Sequence, residues 1–234
     1  MSFLNRLFGE KPQLTANQFA RLQTWQALPE PDARQPLDSS RIVVVDVESS
    51  GLDVNKDSLI AIGAVALVNG KIALADSMDM VLQQNLVSGK DNILIHGIGG
   101  EAQREGMLPA EALLDFLEYL GKSPLIAFHV AFDQAMIAQA VKASLGFRFK
   151  HAWADLAYVA PALYPQHALR YRSLDQWMSF FRIGNYARHS ALADALSTAE
   201  LLLALGPELK KRQALNFQGL RDMERERRRQ THPV

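Results

Sequence analysis

Apolar residues along this chain recur first at helical spacing, then in unbroken blocks, then at helical spacing again. An opening helix is expected from Thr15, with Gln18 three residues later as in a capping box, and Phe19, Leu22, Trp25 and Leu28 along one side. Pro29, Pro31 and Pro36 end it among Glu30, Asp32, Asp38, Ser39 and Ser40, a polar segment that reads as a linker. From Arg41 the pattern changes. Ile42 to Val47 is apolar and β-branched but for one residue, as a strand covered on both faces requires. Leu59 to Val68 and Lys71 to Asp76 flank Asn69-Gly70, a strong hairpin signal, and Met78 to Gln83 continues or adds a strand.

Pro109 stands where a first helical residue belongs, and Leu113, Leu114, Leu117 and Leu120 give the segment to Gly121 an apolar face. A short strand follows at Pro124 to Phe128, a helix at Ala131 to Leu145, and a short strand around His151 to Asp155. Helices are then expected at Asp155 to Leu163, Ser173 to Phe181 and Ser190 to Leu205, the last stopped by Gly206-Pro207. Strands first and alternating elements later predict an α/β domain with a mixed sheet flanked by helices. Residues 41–206 form the expected domain, 1–40 an N-terminal helical extension and linker, and 207–234 a charged C-terminal tail.

Composition narrows the chemistry. The chain has 234 residues, 48% of them apolar, with 25 basic and 25 acidic residues and no cysteine. A disulfide scaffold, a thiolate metal site and a thiol nucleophile are thereby excluded, so any metal must be held by oxygen or imidazole. Leu59 to Val68, the longest mostly apolar stretch, falls far short of the roughly 20 residues of a membrane-spanning helix. Met1 to Gly9 lacks the features of a secretory signal, and the protein is expected in the cytoplasm. Its apolar patch of Phe3, Leu4, Leu7 and Phe8 is suited to docking on a partner or on the domain. The tail from Pro207 carries eight basic and four acidic residues, which leaves the preceding 206 residues at −4. Arg225 to Arg229, interleaved with Glu224 and Glu226, reads as a solvated helix face.

Three groups of residues can do chemistry. Asp46 and Glu48 lie at positions i and i+2 near the end of the first strand, so both carboxylates project to one side. Strand context alone leaves a hard divalent cation and a hydrogen-bonded structural pair both open. Asp133 opens the helix behind the short strand at Pro124 to Phe128, where the macrodipole alone favours an acid. Asp194, with Ala191, Leu192, Ala193, Ala195 and Leu196 around it, lies on a face that should be buried, and a buried Asp usually has a partner. His189 precedes it by five residues.

Taken in order, Val45-Asp46-Val47-Glu48-Ser49-Ser50-Gly51-Leu52, Ile60-Ala61-Ile62-Gly63-Ala64-Val65, Ile95-His96-Gly97-Ile98, Ala131-Phe132-Asp133, Ser173-Leu174-Asp175 and His189-Ser190-Ala191-Leu192-Ala193-Asp194-Ala195 form a specific set. From about Ile42 to Leu205 the chain resembles the DEDDh branch of the DEDD exonucleases, the DnaQ-like proofreading exonucleases. That resemblance implies a ribonuclease-H-like fold. It implies that Asp46, Glu48, Asp133 and Asp194 are metal-binding carboxylates and that His189 is the general base. It further implies that Ser49, Ser50, Gly51, Leu52, His96 and Phe132 border the terminal nucleotide. The family commonly has Thr where Val47 stands and Asn where His129 stands, so that His129 either replaces that Asn toward substrate or points elsewhere.

The implied reaction is metal-dependent release of 5′-mononucleotides from the 3′ end of DNA, single-stranded by preference. Four carboxylates match two Mg²⁺ or Mn²⁺ ions in charge, and an ion pair about 3.5–4 Å apart serves both attacking and leaving oxygens. Zero net charge argues against a long duplex grip, and Arg170, Arg172, Arg182 and Arg188 are candidates for steering phosphate. Two alternatives stand beside this one: an RNA-directed exonuclease of the same family, and a non-catalytic subunit that binds nucleic acid beside a polymerase. A DNA polymerase partner would have to dock on residues 1–40 or 207–234.

Overall fold

A computed structural model describes residues 12–184 and 187–231. The apolar patch at Phe3, Leu4, Leu7 and Phe8 lies outside the described residues. Within them the chain forms α1 (Ala16–Gln26), β1 (Arg41–Ser49), β2 (Leu59–Val68), β3 (Lys71–Val81), α2 (Lys90–His96), α3 (Gly100–Glu105) and α4 (Pro109–Leu120). There follow β4 (Leu125–Ala127), α5 (Val130–Leu145), β5 (Trp153–Asp155), α6 (Leu156–Leu163), α7 (Leu174–Phe181), α8 (Ala191–Lys211) and α9 (Phe217–Thr231). The sheet order is β3-β2-β1-β4-β5. Strands β1 to β3 form an antiparallel meander, and β4 and β5 run parallel to β1, so the sheet is mixed as expected. Among the described residues, no helix is long and apolar enough to cross a membrane.

Strand alternation divides the core into two halves. Val43, Val45 and Val47 face one half with Ile62, Ala64 and the apolar sides of α1, α4 and α5. Ile42 and Val44 face the other with Val65, Leu67 and residues of α6, α7, α8 and α9. The β2–β3 hairpin turns at Asn69 and Gly70, whose φ values of 52° and 72° are those a tight primed turn demands. The Thr15–Gln18 capping box forms as the sequence predicts.

Five expectations need correction. Leu22 and Trp25 of α1 are buried, but Phe19 and Leu28 are exposed, because a single helix on the side of α4 has only a narrow buried stripe. The proline-rich segment is tied down, not loose: Leu37 is buried, its amide donates to the Leu215 carbonyl, and Pro36 bridges Asn216. Gly206-Pro207 does not stop α8, which continues to Lys211. Buried Leu205 and Leu209 hold the helix across the proline against a cost of about 3 kcal/mol. Helices α2 and α3 were not foreseen. They are short, bounded by Gly89, Gly97, Gly99 and Gly106, and leave Leu94 and Ile95 exposed, so they lack an apolar stripe to read. Finally, the basic run is only partly a solvated face. Arg225 and Arg229 are exposed, whereas Arg228 bonds Glu224 and the buried Asp155.

Candidate metal centre

The even-numbered positions of β1 put Asp46 and Glu48 on the face that α8 covers. Their ladder partners on β2 are Gly63 and Ala61. The small side of β2 lets the start of α8 settle there: a Cβ on Gly63 would lie 2.0 Å from the Leu192 amide nitrogen and 2.1 Å from the Ala191 carbonyl carbon. Asp194, in the first turn of α8 and only 4% exposed, is thereby lowered onto the strand. One oxygen each from Asp46, Glu48 and Asp194 lies within 4.8 Å of the others. Asp133 comes from the opposite layer. It sits buried in the first turn of α5, and its carboxylate accepts hydrogen bonds from backbone amides including that of Val47. Pairing between β1 and β4 ends at Val44↔Ile126, which leaves this edge of β1 open to Asp133.

Electrostatics show that the four acids form one cluster. Burial drives Asp46 well above the usual carboxylate range, and repulsion from Asp133, Asp194 and Glu48 adds to it. Glu48 is pushed up to about 7, chiefly by burial and then by Asp194. Asp133 also rises, again mainly through burial. Arg188 offsets part of this charge: its guanidinium bonds the Asp194 carboxylate and reaches Asp175 at 2.6 Å. Convergent, mutually repelling oxygen donors in a chain without thiols fit a hard divalent cation. Protonation is the other way to relieve them.

The remaining candidates lie around this cluster. His189 is exposed, in the left-handed region at φ 62°, and its amide donates to Asp194 Oδ2 at 3.1 Å. Ser49 Oγ donates to the Gly51 carbonyl at 2.6 Å, and Ser50 Oγ donates to Asp57 while accepting from the Ser58 amide. Both hydroxyls therefore shape the turn, which leaves Leu52 86% exposed at its tip. Asn92 Nδ2 ties α2 to the Ser49 carbonyl at 2.9 Å. His96 is buried at the end of α2, where its Nδ1 accepts from the Ile98 amide, and burial lowers its pKa. Phe132 is half-buried against the first core half. His129 stands apart, capping α5 with its amide on Asp155 Oδ1 and its Nε2 donating to the Arg172 carbonyl at 3.2 Å. Three contributors had escaped a chemical reading of the sequence: Gly63 as the seat of α8, Arg188 as the counter-charge of Asp194, and Asp57 as the brace of the turn. None carries a local signal for its role.

Comparison with known proteins agrees with this geometry. A family model described as exonuclease (RNase_T) matches residues 43–202. A DNA polymerase III PolC-type protein of Thermotoga maritima is 30% identical over 169 residues, which cover 72% of this chain and 12% of that protein. A DNA polymerase III subunit epsilon of Rickettsia felis is 27% identical over 176 residues, covering 72% of this chain and 75% of that one. The chain thus spans about an eighth of the PolC-type relatives. Exonuclease I of E. coli, solved with a dT13 oligonucleotide, shares the fold at a TM-score of 0.63 and 16% identity, covering 74% of this chain and 42% of that one.

Proposed function

Because the chain belongs to the exonuclease family whose model spans residues 43–202, we propose that it is a metal-dependent 3′–5′ exonuclease that releases 5′-mononucleotides from the 3′ end of DNA, single-stranded by preference. The observation that carries this reading is the convergence of Asp46, Glu48 and Asp194 within 4.8 Å, with Asp133 repelling Asp46 from the opposite layer. A role confined to binding nucleic acid would gain nothing from so costly a cluster of acids. When bound, two Mg²⁺ or Mn²⁺ ions supply water activation and charge stabilisation at the attacking and leaving oxygens. Asp46, Glu48, Asp133 and Asp194 would hold them. His189 accepts the proton of the attacking water on its imidazole, with Asp194 fixing its backbone. The Ser49 to Leu52 turn, His96 and Phe132 border the terminal nucleotide, with His129 on the far flank. Residues 41–206 are the catalytic unit, residues 12–40 and 207–231 brace it, and the segments 1–40 and 207–234 offer the surfaces on which a DNA polymerase would dock.

The test is degradation of 3′-labelled and 5′-labelled single-stranded DNA and RNA with Mg²⁺, Mn²⁺ or EDTA, beside Asp46→Ala. Metal-dependent shortening of DNA from the 3′ end, absent in the variant, is the expected result. Faster shortening of RNA would assign the same centre to RNA, and no cleavage of any strand would leave a binding subunit.

A further inference from the structure

Strands β1, β4 and β5 run parallel, so their carboxyl ends share one edge of the sheet, the edge at which ligands gather in open α/β sheets. The acidic cluster takes the β1 end. Past β4 and β5 the same edge opens into a cavity of about 330 Å³ lined by His129, Tyr158, Tyr171, Arg172, Arg227 and Thr231, with three small apolar residues and no acid. Two guanidinium groups here are not neutralised. Neither Arg172 nor Arg227 makes an ion pair among the described residues, and Arg227 Nε is buried without a hydrogen-bond partner. Arg228, the next residue of α9, is by contrast consumed in holding the helix. It bonds Glu224 at 2.8 Å and Asp155 at 3.1 Å and lies 3.9 Å from the centre of the Tyr158 ring.

The cavity lies beside the acidic cluster on the same edge of the sheet. His129 at its wall caps α5, and Asp133 follows four residues later, about 6 Å along a helix axis. The Ser49 to Leu52 turn and α2 lie on the opposite, β2 flank of Asp46. A strand whose terminal nucleotide occupies that flank must leave the metals on this one. Arginines that make no ion pair, set beside tyrosine rings, suit single-stranded nucleic acid, whose phosphates seek clustered cations and whose bases stack on any aromatic ring.

We propose that this cavity is a second nucleic-acid subsite, which takes the substrate strand on the 5′ side of the scissile bond, with Arg227 and Arg172 on its phosphates and Tyr158 and Tyr171 against its bases. Two of its nine lining residues, Arg227 and Thr231, come from α9, beyond the residues that the family model matches. The chain's basic C-terminal segment therefore serves substrate grip, and the subsite rests on the exonuclease reading above.

The experiment compares wild type, Arg227→Gln and Arg172→Gln on single-stranded oligonucleotides and on the p-nitrophenyl ester of thymidine 5′-phosphate, which reaches only the metal centre. Each substitution is expected to raise KM for the oligonucleotide about tenfold, the effect of one charge-assisted hydrogen bond. The salt slope of log KM should fall by about 0.7 per arginine removed. Turnover of the ester should hold within about twofold, as a fold-change too small to reflect a lost contact. Arg227→Lys should restore the salt slope, which a purely structural role would not predict. Equal losses on both substrates, or an unchanged salt slope, would overturn the subsite. So would polyglutamate competing for the wild-type protein as well as the oligonucleotide does, since the cavity would then belong to an acidic peptide. If neither substrate is hydrolysed, the exonuclease reading fails by itself. Binding of fluorescein-labelled single-stranded DNA to wild type and Arg227→Gln then decides the subsite: weaker binding by the variant supports it, and equal binding overturns it.

Discussion

Gly63 stands directly across the β1–β2 ladder from Asp46, and the missing side chain at Gly63 is what brings Asp194 to Asp46. The first turn of α8 rests on bare β2 backbone at that point. With any Cβ there, the contacts of 2.0 Å and 2.1 Å to the α8 backbone could not persist, and neither neighbour is the far end of a flexible side chain. A backbone detail on one strand thus sets the spacing of two carboxylates on two other elements.

Gly63→Ala is therefore expected to destabilise the protein by about 1–3 kcal/mol, as overpacking does. It should also cut metal-dependent cleavage about a hundredfold, because a misplacement near 1 Å costs that much. Denaturant unfolding together with a cleavage assay checks both. Full activity in the variant would mean that α8 can shift without moving Asp194.

Glu48 sets a pH dependence. In the metal-free folded protein it stays protonated up to about 7, whereas in the unfolded chain it ionises near the ordinary value of about 4.3. Between those values the folded state holds more protons, so stability falls as pH rises through the window and stays reduced above it. Glu48→Gln removes this loss. In EDTA the Tm of the variant should match wild type near pH 4 and exceed it increasingly toward pH 8, and a gap that does not change with pH would separate Glu48 from the acidic cluster.

Arg188 neutralises Asp194 while no cation does. Its substitution by Gln leaves a buried carboxylate short of a partner and should cost the metal-free protein about 1–3 kcal/mol. Added Mn²⁺ should erase most of that difference by supplying the missing charge. Unfolding with and without Mn²⁺ gives the answer, and an equal cost in both conditions would show that Arg188 acts through Asp175 alone.

His189→Ala keeps the backbone amide that binds Asp194, so the acidic cluster should survive the change. Turnover is expected to fall by about 10²–10⁴, the range for loss of a general base. The rise in Tm on adding Mn²⁺ should remain that of wild type. Wild-type turnover would assign the proton transfer to another group.

Much of this molecule was legible residue by residue, where the signal is local or periodic. Thr15 and Gln18 marked a capping box, Asn69-Gly70 marked a hairpin, and alternation along β1 put Asp46 and Glu48 on one face. The small and apolar neighbours of Asp194 showed that it would be buried. Helices α2 and α3 were illegible because short helices with exposed Leu94 and Ile95 have no periodic stripe. The passage of α8 through Pro207 was illegible because buried Leu205 and Leu209 outweigh a local rule.

The sequence by itself thus determined the strands, most helices and the acids able to bind a cation, since period and residue type are properties of neighbours along the chain. Only the tertiary structure decided that Gly63 would seat α8, that Arg188 would meet Asp194, and that Arg228 would reach Asp155, 73 positions away. Those contacts follow from how two layers close on a twisted sheet, and the energy of that closure is spread over the whole core, with no imprint on the residues beside each contact.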